Sequence, residues 1–209
     1  MNYFSKSYFK KRTVIHNPMD LDKVPYSVNI ERKKTIINTA RLTPAKNQEL
    51  LIRAFANIAG DFKDYNLEIY GDGPLKGKLL SLVAELNMDK RILLKEAIPN
   101  ILNVIKDSEV FVLSSNNEGF PNSLAEAMAM GIPSISTNCR IGGPREMIDN
   151  YKNGFLVETN NSKELEVALR NLLSDSELRN NFSIEATKIR GKLDARKISS
   201  KWLSFFEQF

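Results

Sequence analysis

The sequence is short of the residues and segments that several classes of protein require. Its 209 residues include one cysteine, Cys139, and one histidine, His16. A single cysteine excludes an intrachain disulfide and is typical of a reducing compartment. No apolar run approaches the roughly 18 residues of a membrane span, and the N-terminus lacks the apolar core of a signal peptide. We therefore expect a cytoplasmic protein.

Positive charge is concentrated at the two ends of the chain. The formal net charge is +5, and the clustered basic residues are Lys6, Lys10, Lys11, Arg12, Lys188, Arg190, Lys192, Arg196, Lys197 and Lys201. Such clusters bind nucleic acid or an anionic membrane face, or they are simply solvated helix faces. Because no aromatic RNA-binding platform or zinc-ligand spacing accompanies them, we expect no nucleic-acid partner. Peripheral attachment at the inner membrane face stays an alternative.

Short apolar runs alternate along the chain with amphipathic segments of helical period. Strands are predicted at 35–39, 67–70, 92–94, 110–113, 133–136 and 155–157. Helices are predicted at 47–59, 74–86, 123–130, 144–148, 162–173 and over most of 176–209. This alternation predicts an α/β fold: a Rossmann-like parallel sheet of about six strands, helices on both faces, and C-terminal helices. Ligands of such sheets bind at the carboxyl ends of the strands.

Two carboxylates flank a turn that opens a helix within the segment 114–131. Glu118 and Glu126 stand on either side of this turn. The helix start at 122–124 presents unpaired amides and a positive dipole end, which suits a phosphate. Carboxylates would repel a phosphate, whereas they accept hydrogen bonds from hydroxyl groups such as those of a ribose and a sugar ring. The segment therefore predicts a nucleotide-sugar pocket.

Two cations precede the first predicted helix. Arg41 and Lys46 lie in the loop after the first strand, on the same edge of the sheet as 114–131. A departing nucleoside diphosphate gains negative charge, which an Arg and a Lys beside a helix start can neutralise without a metal ion. Ordinary surface charge would explain this loop taken alone. Its combination with the segment 114–131 favours the phosphate-binding interpretation.

Two further features have both a structural and a functional explanation. The run Gly71-Asp-Gly-Pro74 is either a tight turn with Pro74 as the first helical residue, or a place where Gly71 and Gly73 let the backbone approach a nucleotide. Ser123 and Glu126 also match a capping box, in which Glu126 would only close its own helix.

Taken in order, these segments resemble the C-terminal half of the family 4 retaining glycosyltransferases of the GT-B type. The matching segments are His16-Asn-Pro-Met-Asp20, Ala40-Arg-Leu42 with Lys46, Gly71-Asp-Gly-Pro74, Glu118-x7-Glu126, Ala127-Met-Ala-x-Gly131-x-Pro133, Gly142-Gly-Pro-Arg-Glu146 and Asn153-Gly-Phe-Leu156. The resemblance they carry extends over nearly the whole of residues 14–180. Two departures are Ala40, where the family usually has Gly, and Lys95-Glu96, where a Gly commonly follows the third strand.

The resemblance implies two Rossmann-like domains, of which this half binds the nucleotide-sugar donor. Arg41 and Lys46 would hold the diphosphate, and Glu118 would bind hydroxyls of the donor sugar; these three are the catalytic candidates. Glu126 would bind the ribose. The base would lie near residues 95–98.

Backbone groups complete the donor site that the resemblance implies. The amides of Asn122, Ser123 and Leu124 would cap a phosphate, and the backbone at Gly71 and Gly73 would lie close to the nucleotide. No metal ion and no cofactor is expected. The donor would be a nucleotide-diphosphate sugar such as a UDP- or GDP-sugar.

The implied enzyme is a retaining, metal-independent hexosyltransferase of polysaccharide or glycoconjugate biosynthesis, with a lipid-linked or saccharide acceptor. Residues 1–30 would be the remnant of an interdomain linker, 31–180 the donor-binding domain and 181–209 a helical tail. The N-terminal acceptor domain would be missing, so we expect this chain alone to be inactive. An excised domain and a natural half-protein both fit. So does a non-catalytic nucleotide-sugar-binding module, or a subunit that needs a partner chain.

Overall fold

A computed structural model describes residues 13–207. Its centre is a sheet of six strands in the order β3-β2-β1-β4-β5-β6, with every neighbouring pair parallel. The strands are β1 (Lys33–Thr39), β2 (Asn66–Tyr70), β3 (Ile92–Lys95), β4 (Ser108–Leu113), β5 (Ser134–Thr137) and β6 (Phe155–Val157). The sequence-based prediction of a Rossmann-like parallel sheet is confirmed.

Helices cover both faces of this sheet. They are α1 (Gln48–Ile58), α2 (Lys76–Glu85), α3 (Ile101–Ile105), α4 (Asn122–Ala129), α5 (Gly143–Met147), α6 (Ser162–Ser174), α7 (Ser176–Ala186), α8 (Arg190–Leu193) and α9 (Ala195–Phe206). Short 3-10 turns occupy Leu21–Lys23, Pro44–Lys46 and Thr187–Ile189. Within the described range, no helix is both long enough and apolar enough to cross a bilayer.

The core has one apolar layer on each face of the sheet. Central strand β4 contributes to both, since Val110 and Val112 pack among the residues of α1, α2 and α6. Phe111 and Leu113 pack on the opposite side, among the residues of α4. Alternation of apolar side chains to both faces is what a parallel strand buried on both sides requires.

The C-terminal helical region is interrupted, although the sequence predicts helix over most of 176–209. Met19 inserts at the break: its amide donates to the carbonyl of Leu193 over 2.7 Å, and its carbonyl accepts from the amide of Ala195 over 3.1 Å. Asp194 then caps α9 by accepting from the amide of Arg196 over 2.8 Å. A long-range contact that sequence periodicity does not reveal therefore divides α8 from α9.

The segment expected to be a connector lies against the domain where it is described. Met19 and Val24 are buried. The guanidinium of Arg190 donates to the carbonyls of Leu21, Val24 and Ala129 over 3.0–3.2 Å. One member of the C-terminal basic cluster thus holds the chain's own backbone. The N-terminal basic cluster falls outside the described residues.

The strand order reverses direction between β1 and β4. The loops that follow these two strands therefore diverge and leave a crevice at the carboxyl edge of the sheet, where doubly wound folds bind their ligands. The loop after β1 runs from residue 40 to 47, and the loop after β4 from residue 114 to 121. Both are the loops that the sequence marks as functional.

Candidate active site at the carboxyl edge of the sheet

Lys46 and Glu118 face each other across the crevice. The Nζ of Lys46 lies 2.5 Å from Oε1 of Glu118, and the same oxygen accepts a hydrogen bond from Ser115 Oγ over 2.7 Å. The Glu118 residue is only 8% exposed. Its other oxygen, Oε2, has no hydrogen-bond partner within residues 13–207. A buried carboxylate with one paired and one open oxygen can accept further hydrogen bonds from a ligand.

Direct hydrogen bonds hold the two loops of the crevice in register. Ser114 Oγ donates to the carbonyl of Lys46 over 3.0 Å. The amide of Asn116 donates to the carbonyl of Ala45 over 2.8 Å. The position of Lys46 is therefore fixed by backbone contacts with the segment that carries Glu118.

Asn47 adds a third loop to this arrangement. Its side-chain amide donates to Oδ1 of Asn116 over 3.1 Å and to Oδ1 of Asn160 over 3.0 Å. Asn47 has a φ of 46°, in the left-handed region that Asn tolerates better than most residues. No sequence pattern indicates this amide cluster, since its members lie in loops far apart in the chain.

Arg41 lies in the same loop as Lys46 but stands apart from it. Its side chain is exposed and makes no hydrogen bond or ion pair within the described part of the chain. Its carbonyl accepts from Nε2 of the buried Gln48 over 3.0 Å. The backbone at Arg41 is thus anchored while the guanidinium is available to an anion.

The glycines after β2 are required by the loop after β1. A Cβ at Gly71 would overlap the carbonyl oxygen of Ala40, and one at Gly73 would lie 2.5 Å from the carbonyl oxygen of Leu42. Gly73 also has a φ of 153°. This packing accounts for both glycines, and their expected approach to a nucleotide stays a prediction.

The expectation that Pro74 is the first residue of the second helix is wrong. Helix α2 begins at Lys76, since its first i to i−4 hydrogen bond runs from the amide of Leu79 to the carbonyl of Leu75 over 2.9 Å. The amide of Leu75 donates to the carbonyl of Leu42 over 3.1 Å. The turn at 71–75 is therefore tied to the loop after β1 rather than to its own helix.

Helix α4 starts without a side-chain cap. Its N-cap residue is Pro121, which has no side-chain acceptor, and Asn122, Ser123 and Leu124 form the first turn. The amides of a first helical turn have no partner inside the helix. Because Ser123 lies inside the helix rather than at its cap, it forms no capping box with Glu126, and that alternative is wrong.

Glu126 lies further along α4 and is half-buried. Burial raises the pKa of its carboxyl group above the usual range. No side chain or amide within residues 13–207 donates to this carboxylate. A half-buried acid without a partner is costly, and it is typical of a site that a ligand completes.

The N-terminal segment reaches the rim of this site. The ring of His16 stacks on Phe120 with centroids 4.7 Å apart, and its Nε2 lies 3.3 Å from Oε2 of Glu146. The side-chain amide of Asn17 donates to Oδ1 of Asn122 over 3.1 Å. His16 and Asn17 belong to the His16-Asn-Pro run, and only the family resemblance indicated that this run has a function.

The region near residues 95–98, expected to read the base, begins with a paired lysine. Nζ of Lys95 lies 2.8 Å from Oε1 of Glu68 and 3.2 Å from the hydroxyl of Tyr70.

Among residues 13–207, no group of three or more His, Cys, Asp or Glu side chains is placed to hold a metal ion.

The chain is similar to proteins that transfer sugars. A family model described as "Glycosyl transferases group 1" matches residues 22–189. A Campylobacter jejuni relative, N-acetylgalactosamine-N,N'-diacetylbacillosaminyl-diphospho-undecaprenol 4-alpha-N-acetylgalactosaminyltransferase, is 32% identical over 94% of this chain and 53% of its own length. The chain thus spans about half of that relative.

Two solved structures share the fold. Staphylococcus aureus TarM, as a mutant in complex with fondaparinux, alpha-GlcNAc-glycerol and UDP, is 25% identical with a TM-score of 0.78 over 93% of this chain and 38% of its own. The C-terminal domain of the group 1 family protein LpcC from Francisella tularensis is 24% identical with a TM-score of 0.74, over 83% of this chain and 97% of that domain.

Proposed function

The chain belongs to the group 1 glycosyl transferases, as its motifs predicted, and on that premise we propose that it is the donor-binding half of a retaining glycosyltransferase that uses no metal ion. Its donor would be a UDP- or GDP-sugar, and its product a polysaccharide or glycoconjugate. The similarity in fold to the C-terminal domain of LpcC supports the assignment to the donor-binding half.

The observation that carries this proposal is the meeting of charged groups at the switch point of the sheet. Lys46 of the loop after β1 lies 2.5 Å from Glu118 of the loop after β4, next to the uncapped start of α4. A cation and open amides suit a diphosphate, and a buried carboxylate suits hydroxyl groups. A nucleotide-diphosphate sugar carries both, and its sugar ring adds hydroxyls beyond those of the ribose.

In the proposed site the chain stabilises the leaving nucleoside diphosphate. Arg41 and Lys46 would contact the diphosphate, and the amides of Asn122, Ser123 and Leu124 would donate to a phosphate oxygen. Negative charge grows on the leaving group as the bond to the sugar breaks. Fixed donors aimed at that charge lower the barrier because they need no reorganisation during the reaction.

The two glutamates would bind different parts of the donor. Glu118 would accept hydrogen bonds from hydroxyls of the sugar through the oxygen that has no partner within residues 13–207. Glu126 would accept from the ribose, which would supply the hydrogen bonds that its half-buried carboxylate lacks. Ribose contacts are common to all nucleotide donors, whereas sugar contacts select among them.

An acceptor-binding half outside this chain would bind the acceptor and complete the catalytic cleft. The relative from C. jejuni is named for an acceptor on diphospho-undecaprenol. We infer a phosphate-bearing, lipid-linked acceptor here as well, with the reaction at the cytoplasmic face of the membrane. An acceptor-binding half would supply the opposing wall of the cleft.

Calorimetric titration of the 209-residue chain with UDP and GDP tests this function. We expect one of them to bind with unchanged affinity in EDTA, and to bind about 10- to 150-fold more weakly to Lys46→Gln, as for loss of one charge-assisted hydrogen bond. Lys63→Gln is the matched control, since Lys63 is exposed and distant from the crevice loops in sequence. A strict requirement for Mg²⁺ or Mn²⁺, or equal affinities of the two variants, would contradict the proposal.

A further inference from the structure

A second cationic cavity opens at the carboxyl end of β5. Its volume is about 350 Å³, and its wall is formed by Cys139, Arg140, Ile141, Gly142, Arg145 and Glu146. The proposed donor site uses none of these side chains.

This cavity is joined rigidly to the loop that carries Glu118. The amide of Glu118 donates to the carbonyl of Arg140 over 3.3 Å. A Cβ at Gly143 would overlap the carbonyl oxygen of Gly119, so the two loops pack backbone against backbone. Because the strand order is β1-β4-β5, Glu118 lies between the cations after β1 and the cations after β5.

Both arginines of the cavity have guanidinium groups available to a ligand. Arg140 is exposed and makes no side-chain hydrogen bond or ion pair within the described part of the chain. Arg145 uses only Nε, which donates to Oδ1 of Asn138 over 2.9 Å. The one carboxylate in the wall, Glu146, lies 3.3 Å from His16 Nε2. Guanidinium groups free of carboxylates bind phosphate in a bidentate manner.

Ile141, between the two arginines, has a strained backbone conformation. It has a φ of 76°, and its side chain is 75% exposed. A β-branched residue is unfavourable in the left-handed region, and burial of the side chain does not compensate here. Backbone strain of this kind clusters at ligand-binding segments.

We propose that the cavity between Arg140 and Arg145 binds a phosphate group of the acceptor. The proposal rests on the donor function above, in which Arg41 and Lys46 already hold the diphosphate of the donor. A cationic site on the other side of the sugar-binding Glu118 is placed for an anion that approaches the sugar from outside the donor. It would orient a phosphate-bearing acceptor against the sugar.

The experiment separates the two anion sites by saturating the first. The 209-residue chain is titrated with UDP, and the UDP-saturated chain is then titrated with geranyl diphosphate, inorganic diphosphate or glycerol 3-phosphate while NMR chemical shifts are followed. Geraniol and glycerol serve as uncharged probes. The variants are Arg140→Gln/Arg145→Gln and the control Arg53→Gln/Arg170→Gln, which removes the same charge from surface ion pairs.

We expect the phosphate probes to bind the UDP-saturated chain and its control, and to bind at least about tenfold more weakly to Arg140→Gln/Arg145→Gln. UDP affinity and the unfolding temperature should not change, since both arginines are exposed. Stronger binding of geranyl diphosphate than of inorganic diphosphate, which has the same phosphate groups without the lipid chain, would indicate a lipid-linked acceptor, and equal binding a site for the phosphate groups alone; both support the proposal.

Three results would overturn the inference. Loss of UDP affinity in Arg140→Gln/Arg145→Gln would assign the arginines to the donor's diphosphate. Phosphate binding that is absent, or equal in the variant and the control, would remove the second site while leaving the donor function intact. Failure of both UDP and GDP to bind the wild-type chain would contradict the proposed function itself, and this inference with it.

Discussion

At the scale of single residues, Glu126 shows a conflict between folding and binding. Its carboxylate is half-buried in α4, and burial raises its pKa. The folded chain therefore binds a proton at this position more tightly than the unfolded chain does. The contribution of Glu126 to stability falls as pH rises above the ordinary carboxyl range, because the ionised group must then be buried.

Glu126→Gln should separate the two effects. It should weaken UDP and UDP-sugars alike, by about 10- to 150-fold, because the ribose contact is common to both. In denaturant unfolding, the variant should gain stability over the wild type as pH increases from below to above the usual carboxyl pKa of about 4.3. Below that range the two should be equally stable.

Glu85→Gln is the matched control, since Glu85 is an exposed acid on α2. It should change neither the affinity for UDP nor the pH dependence of stability. A Glu126→Gln protein with unchanged affinity for UDP would remove Glu126 from the proposed donor site.

At the scale of elements, the loops after β1 and β2 depend on glycine at their contact. Gly71→Ala would drive a methyl group into the carbonyl of Ala40. We expect a loss of about 1–3 kcal/mol in the free energy of unfolding, typical of overpacking. Weaker UDP binding should accompany it, since the displaced loop carries Arg41 and Lys46.

Gly77→Ala provides the comparison on the neighbouring helix α2. A Cβ at Gly77 meets no atom within 4 Å. Its free energy of unfolding should therefore rise by about 0.5–1 kcal/mol, as for Gly to Ala within a helix. Equal effects of the two substitutions in urea titrations would show that the close approach at Gly71 is not maintained in solution.

Sequence periodicity predicted the elements that bury a continuous apolar face and missed those that tertiary contacts define. The six strands were all expected, because their apolar runs are distinct. Helix α3 was not predicted, since its five residues make little more than one turn. The break before α9 depends on Met19, which lies far away in sequence.

The candidate site likewise contains residues that the sequence predicted and residues that it did not. Lys46 and Glu118 were both expected at one edge of the sheet, but their direct ion pair depends on contacts between the loops after β1 and β4. Ser115 and Asn47 were not expected, because single polar residues in loops have no periodicity that marks them. Arg145 was visible only as part of a family motif, and no sequence pattern marked Arg140.

At the scale of the whole molecule, we propose that the crevice is one wall of a larger cleft. The chain spans about half the length of the C. jejuni relative. In the two-domain arrangement that the motifs imply, the second wall excludes water and brings acceptor and donor together. Positioning of this kind accounts for several kcal/mol of the barrier in well-oriented reactions, about 7–11 kcal/mol at most.

We therefore expect the 209-residue chain to bind its nucleotide-sugar without transferring the sugar. The measurement is release of nucleotide over time, with the best-binding UDP- or GDP-sugar and a lipid-linked or saccharide acceptor. Addition of a separately produced acceptor-binding half should increase turnover. Multiple turnovers by the chain alone would show that it does not depend on a second wall.

The ion pair at the switch point also bears on how the product leaves. Lys46 has a counter-ion within its own chain, since Glu118 lies 2.5 Å away. A diphosphate must compete with this carboxylate for the lysine, while sugar hydroxyls that donate to the second oxygen of Glu118 would draw negative charge away from the first and so weaken its hold on Lys46. Once the sugar has been transferred, Glu118 is free to draw Lys46 back from the diphosphate. The carboxylate would then act as an internal competitor that hastens release of the spent nucleotide.

Glu118→Gln should reveal this competition as an affinity change of opposite sign for two ligands. Free UDP should bind more tightly, by about 1 kcal/mol or about fivefold, because an uncharged amide holds Lys46 less firmly. The intact UDP-sugar should bind more weakly, because the amide is a poorer acceptor for its hydroxyls. Stopped-flow measurements should place the gain for UDP in a slower dissociation rate. Slower nucleotide release combined with weaker donor binding would make this one glutamate responsible for turnover as well as recognition.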